Sequence, residues 1–138
     1  MRIGIAGLGT VGAGLIELIQ KHGDLLARRG GKSLEIPAVS ARDKSRDRGV
    51  DCSGYEWFDN AVDLAASDKV DVVVELIGGS DGIAREVVET AIGNGKAVVT
   101  ANKALIAHHG TSLAAAAESM KVPLSFEAAV AGGIPIVK

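Results

Sequence analysis

Apolar positions along the chain follow two rhythms that alternate. Arg2–Ala6 is a short apolar run that ends in glycines and reads as a strand. From Thr10 to Arg28 the apolar positions Val11, Leu15, Leu18 and Ile19 share one face of a 3.6-residue period, which predicts an amphipathic helix. Arg28 and Arg29 followed by Gly30 and Gly31 form its stop signal. Leu34–Ser40 predicts a second strand, weakened at Pro37, whose nitrogen cannot donate to a ladder. Residues 41–54 are polar and charged, hence a loop; Tyr55–Phe58 then predicts a short strand and Asn60–Ala66 a short helix. Asp71–Ile77 is nearly continuous and β-branched, as in a strand covered on both faces. A helix over Ile83–Ile92, a strand at Ala97–Thr100, an alanine-rich helix at Leu113–Met120 and a strand at Leu124–Val130 complete the series.

The order β-α-β-β-α-β-α-β-α-β predicts an α/β fold with a doubly wound, mostly parallel sheet. Right-handed crossovers would leave the ligand crevice at the carboxyl ends of the strands. Residues 1–130 are expected to form this one domain. Residues 131–138 would begin the connection to a further domain, since the chain stops three residues after Pro135 with no terminal cap.

Composition narrows the function classes. With 138 residues, 47% hydrophobic and 23% charged, the chain is too apolar for disorder and sized for a single core. A net charge of −2 argues against general affinity for nucleic acid or anionic membranes. Cys52 is the only cysteine, so no internal disulfide can form, which fits a reducing cytoplasm. The apolar opening resembles a signal peptide, but Gly4, Gly7, Gly9, Gly12 and Gly14 interrupt it and Glu17 closes it. The expected location is cytoplasmic, with no membrane span.

The 18 glycines need a local explanation, and the first cluster supplies one. Gly7-Leu8-Gly9-Thr10-Val11-Gly12 matches G-x-G-x-x-G, a weak pattern alone. Here it follows a strand at once and opens an amphipathic helix, the context that gives it meaning. Gly7 permits the tight turn, Gly9 lets the backbone approach a diphosphate, and Gly12 lets helix and strand pack closely. Amides at the helix head would then face the anion. No Gly-Lys-Ser/Thr follows, which excludes a mononucleotide P-loop.

An NAD site places an acid at the end of the second strand for the ribose 2′-hydroxyl. That strand ends Val39-Ser40-Ala41 without one, and continues Arg42-Asp43-Lys44-Ser45-Arg46. Arg42, Lys44 and Arg46 suit a 2′-phosphate, which favours NADP(H) over NAD(H), while Asp43 in the same stretch could turn inward to a ribose. Lys103, just past the strand Ala97–Thr100, is placed either to act on a carbonyl oxygen or to be solvated. Asn102 could orient Lys103 or cap the next helix. Glu75 near the end of an apolar strand must find partners, as a brace or as a ligand contact, with backbone N–H groups of nearby loops expected. Glu127, at the end of an apolar strand before Gly132 and Gly133, offers one carboxylate and exposed carbonyls to a hard cation, which spacing alone does not establish. His22, His108, His109 and Cys52 read as surface, capping or incidental residues.

On these residues the chain resembles the coenzyme-binding N-terminal domain of homoserine dehydrogenase. The likeness rests on Ile5–Gly12, Ser40-Ala41-Arg42-Asp43, Val74-Glu75-Leu76-Ile77-Gly78-Gly79, Thr100-Ala101-Asn102-Lys103 and Glu127–Pro135. It implies NADPH- or NADH-dependent reduction of L-aspartate 4-semialdehyde to L-homoserine, toward threonine and methionine, by a homodimer or higher oligomer. It also implies a catalytic Lys103 beside the nicotinamide and the reacting oxygen. Coenzyme contacts would come from Gly7, Leu8, Gly9, Thr10, Val11, Gly12, Arg42, Lys44, Gly78, Gly79 and Lys103. A monovalent cation, sodium in the family, would sit on Glu127, Val130, Gly132 and Ile134. The rival readings are a stand-alone NADP(H)-sensing module and an amino-acid dehydrogenase with another substrate.

Overall fold

The computed structural model describes residues 1–130 and residue 134. Strand β1 (Arg2–Ala6) passes through three residues into α1 (Thr10–Gly30), then β2 (Glu35–Ser40) and β3 (Glu56–Phe58). Next come α2 (Ala61–Ala66), β4 (Val72–Glu75), α3 (Ile83–Gly93), β5 (Ala97–Thr100), α4 (Lys103–Met120) and β6 (Leu124–Ser125), with a 3-10 turn at Glu127–Ala129. All pairings are parallel, in the order β3-β2-β1-β4-β5-β6. The chain therefore builds outward from β1 to β3 and crosses back to β4. Loops leaving β1 and β4 then diverge to opposite faces, and a crevice opens between them.

The β-branched strands are buried on both sides because helices cover both faces. On one face α2, α3 and α4 pack Leu64, Val87, Val88, Ile92, Leu105 and Leu113 against Val73 and Val98. On the other, α1 seats Ile16 and Ile19 on Ile3, Ile5, Val39 and Val74, with Tyr55 and Trp57 at the margin. Each fully buried Val, Leu or Ile contributes about 1.5–3 kcal/mol, so these two clusters hold the sheet. Coverage thins on the α1 side toward the far strands, where Val99 of β5 is 36% exposed.

Pro37 stays inside β2 through a bulge. Arg2 pairs with Glu35 but Gly4 with Ala38, so β2 carries one extra residue there and the lost donor is absorbed.

Beyond shifts of one or two residues at other ends, three boundaries differ from the expectation in ways that bear on the site. Helix α4 starts at Lys103, ten residues before the predicted Leu113. His108, His109, Gly110 and Thr111 mask its period, but Asn102 Oδ1 accepts from Leu105 N (3.0 Å) and the fully buried Leu105 anchors the first turn. Strand β4 ends at Glu75 rather than Ile77, because that carboxylate bends the next residues back onto itself. Strand β6 has only Leu124 and Ser125. Phe126 (φ −137°, ψ 22°) leaves the extended region, so Glu127 opens a 3-10 turn and does not end a strand. Among the described residues no helix is long and apolar enough to cross a membrane.

Candidate coenzyme-binding site

The glycine turn is held from both sides by backbone. Gly7 N–H donates to Ser40 O at the end of β2 (2.9 Å), and Leu76 N–H, just past β4, donates to Ala6 O (2.7 Å). Gly7 has φ 105°, and a Cβ there would lie 2.6 Å from the Leu76 carbonyl. A Cβ on Gly12 would lie 2.2 Å from Gly7 O, so only glycine lets α1 start this close to the turn. Gly9 differs from both: a Cβ would have nothing within 4 Å. It is the N-cap of α1, contributes no side chain to the cap, and no acidic residue occupies the first turn. The helix head thus presents its unpaired amides and the positive end of its dipole to open space.

That space is a cleft of about 700 Å³ whose lining includes Gly7, Leu8, Gly9, Arg42, Leu76 and Ile77. Thr10 and Val11 are exposed beside it on the first turn, and Gly12 is buried beneath. Across the cleft, Arg42, Lys44 and Arg46 are all exposed on the loop after β2. Arg42 and Arg46 line the cleft with the glycine turn, whereas Lys44 lines a separate hollow of about 290 Å³ with Tyr55 and Trp57. Asp43 lines the cleft beside Arg42. Its Oδ1 accepts from Ser45 Oγ (2.6 Å) and Ser45 N (2.9 Å), and these bonds hold its carboxyl below the ordinary range.

Arg48 went unmarked by any pattern in the sequence. It stacks over the Trp57 ring, 5.4 Å from the centroid, and donates to the carbonyls of Leu8, Arg46 and Asp43. The one signal was its place in a loop with three other cations.

At the carboxyl ends of β4 and β5, Glu75 is fully buried and acts as a brace. Its Oε1 accepts from Ile77 N (2.7 Å) and Gly78 N (3.1 Å), and its Oε2 accepts from Thr100 Oγ1 (2.6 Å). Thr100 Oγ1 in turn accepts from Asn102 N (3.0 Å), and Asn102 Nδ2 donates to Gly79 O (2.6 Å). Asn102 therefore both caps α4 and ties the β4 loop to it. The network ties Gly78 and Gly79 to Asn102, the residue before Lys103, outside the lining of the cleft but on the same edge of the sheet. Lys103 is exposed at the first position of α4 and makes no ion pair among the described residues.

Glu127 is exposed, Val130 is half-buried and Ile134 is 64% exposed. Gly132 lies outside the described residues. No group of three or more His, Cys, Asp or Glu gathers among the described residues. His109 Nε2 lies 2.9 Å from Asp81 Oδ1, pinning the end of the Gly78–Gly82 loop to α4, while His22 and His108 are exposed. Cys52 is half-buried, and desolvation pushes its thiol up, away from reactivity.

This edge agrees with what the chain matches. The family described as "Homoserine dehydrogenase, NAD binding domain" matches residues 7–127. The chain belongs to that family. Homoserine dehydrogenases of Pseudomonas aeruginosa and Corynebacterium glutamicum are 46% and 47% identical to it, over 100% and 98% of the chain. The chain spans only 31% and 30% of their length. The structure of a homoserine dehydrogenase from Thiobacillus denitrificans superposes with a TM-score of 0.90 at 41% identity, over 99% of this chain and 31% of that one. A hyperthermophilic archaeal homoserine dehydrogenase in complex with NADPH superposes at 0.77 with 25% identity, over 98% of this chain and 46% of that one. The NAD(P)-binding domain of this family thus accounts for the sheet order and for the glycine turn at its switch point.

Proposed function

We propose that the chain binds NADP(H) across this edge and supplies the coenzyme half of a homoserine dehydrogenase, reducing L-aspartate 4-semialdehyde to L-homoserine. The observation that carries the reading is the head of α1, where Gly9 leaves open space over unpaired amides in a cleft that Arg42 also lines. In this reading Gly7, Leu8, Gly9, Thr10 and Val11 cradle the diphosphate, and Gly12 sets the distance between turn and helix. Arg42 meets the 2′-phosphate from within the cleft, and Lys44 adds charge from the neighbouring hollow. Arg42 and Arg46, both exposed in the cleft, outnumber Asp43, whose Oδ1 is held by Ser45, and this balance favours NADP(H) over NAD(H).

The bound reduced nicotinamide supplies the hydride. Gly78 and Gly79 border its end of the site. Lys103 donates a hydrogen bond to the aldehyde oxygen, stabilising the charge that develops there, and then passes its proton to that oxygen. The exposed amine recovers a proton from water. A donor set of one carboxylate (Glu127) and three carbonyls (Val130, Gly132, Ile134) suits a hard monovalent cation such as sodium and not a transition metal. The enzyme would be cytoplasmic and at least dimeric.

Calorimetric titration of the chain with NADPH and NADH tests the reading. One site that prefers NADPH is expected; heat from neither coenzyme overturns it.

A further inference from the structure

Four cations lie in the loop after β2, and Arg48 alone among them is not exposed. Its guanidinium donates Nε–H to Leu8 O (3.0 Å), Nη1–H to Arg46 O (2.7 Å) and Nη2–H to Asp43 O (2.5 Å), and its Cζ lies over the Trp57 ring, 5.4 Å from the centroid. These acceptors belong to two segments 40 residues apart, the glycine turn and the basic loop. A guanidinium spent on three carbonyls is poorly placed to hold a phosphate. It fixes where the neighbouring cations stand.

We propose that Arg48 is a positioning residue for coenzyme choice, a rivet that holds the Arg42 loop against the glycine turn and so sets preference for a 2′-phosphorylated coenzyme. The inference rests on the reading of Arg42 as the 2′-phosphate contact. Two features make the effect selective. The glycine turn has its own anchors, Gly7 N to Ser40 O and Leu76 N to Ala6 O, so it survives the loss of Arg48. Of the loop's other side-chain bonds, Asp43 with Ser45, Asp47 with Gly49 N and Asp51 with Ser53 are internal, and Gln20 Nε2–H to Asp51 O (2.9 Å) ties its far end to the body of α1, so none of them holds the Arg42 stretch to the turn. Lysine keeps the charge but cannot span three carbonyls and stack on an indole at once.

The test titrates R48K, R42Q and the double variant with NADPH and with NADH. R48K should bind NADPH about tenfold more weakly and NADH within about threefold of the unaltered chain, and it should add nothing to R42Q, since the two act through one contact. Equal losses for both coenzymes would reduce Arg48 to a structural residue. Losses that add fully to R42Q would make it a phosphate ligand in its own right; either result overturns the proposal. Trp57→Leu removes the ring under the guanidinium while keeping an apolar side chain at the margin of the α1-side cluster, and should give a smaller loss in the same NADPH-selective sense. That variant decides the matter should R48K fail to fold, and an equal loss or none would refute the rivet. An unaltered chain that binds neither coenzyme sinks the coenzyme reading instead.

Discussion

Gly9→Ala places a methyl group where no atom lies within 4 Å, on a backbone (φ −78°, ψ −160°) open to any residue. In the free chain the change should be nearly silent. Alanine is the poorer N-cap by up to about 1 kcal/mol, while its stiffer unfolded chain returns about 0.4–1 kcal/mol. The melting temperature should therefore stay within about 4 °C. Gly12→Ala, three residues on, is the control. Its Cβ would sit 2.2 Å from Gly7 O, a backbone atom that cannot swing aside. Helix α1 must retreat by roughly 1 Å, at an overpacking cost of about 1–3 kcal/mol, or about 4–12 °C.

Coenzyme affinity should separate the two variants the other way. A methyl group on Gly9 occupies the ground over the helix head and removes at least one charge-assisted bond to the diphosphate, about 1.5–3 kcal/mol, or roughly 10- to 150-fold in NADPH affinity. Thermal melts and calorimetric titration of both variants read the two effects independently. If Gly9→Ala melts as early as Gly12→Ala, the open space at Gly9 is wrong. If it binds NADPH as the unaltered chain does, the diphosphate does not lie on this turn.

Glu75→Ala would leave Ile77 N–H, Gly78 N–H and the Thr100 hydroxyl without their buried acceptor. At about 1–3 kcal/mol per orphaned donor, urea denaturation should show at least about 3 kcal/mol lost, and a loss below about 1 kcal/mol would remove the brace. Asp71 receives Arg2 Nη2–H (2.6 Å), Nε–H and N–H, which hold its carboxyl at about 2 against an ordinary 3.8. Because the folded value is the lower one, the stability it contributes is complete above about pH 4 and fades as pH falls toward 2. Both groups are nearly half exposed, so the contribution stays below about 1 kcal/mol. Carbon-13 NMR titration should find the Asp71 midpoint near 2, and a midpoint near 3.8 refutes the pairing. Lys103→Met, placed in a chimera where this chain replaces the matching segment of the Pseudomonas aeruginosa relative, should abolish semialdehyde reduction and leave NADPH affinity within about threefold. Retained turnover would refute its catalytic role.

The elements that could be read from the chain are those whose causes are local. Asp71–Ile77 announces a buried strand by its own β-branched run, and Gly7–Gly12 announces a turn because a tight bend and close helix packing need glycine at Gly7 and Gly12. The start of α4 escaped because its amphipathic signal is absent over residues 103–112. Its first turn is set instead by the Asn102 cap and by the fully buried Leu105, which joins the core cluster where α4 packs on α3. The last strand is shorter than its composition suggests for the converse reason: Leu124–Val130 is apolar enough for a strand, but among the described residues β6 pairs with β5 alone and gives way to a 3-10 turn within two residues of its end.

The same division runs through the site. Gly7, Gly9 and Arg42 can be singled out in the sequence because each lies within a few residues of its own strand end. Illegible in the sequence are the pairings between positions far apart along the chain: Arg48 on Leu8, 40 residues away; Thr100 on Glu75, 25 away; Asn102 on Gly79, 23 away. Loops at the ends of adjacent parallel strands are brought together by the sheet and not by chain proximity, so a sequence window cannot see such pairs. These long-range bonds are also what make one edge out of separate loops. The Arg48 bond joins the loops after β1 and β2, and the Glu75–Thr100–Asn102 chain joins those after β4 and β5. Backbone bonds from Gly7 to Ser40 and from Leu76 to Ala6 close the middle. A ligand laid along the edge would therefore meet a surface whose parts are already tied in pairs, and its ordering cost falls on side-chain tips such as Arg42 and Lys103 and not on the backbone beneath them.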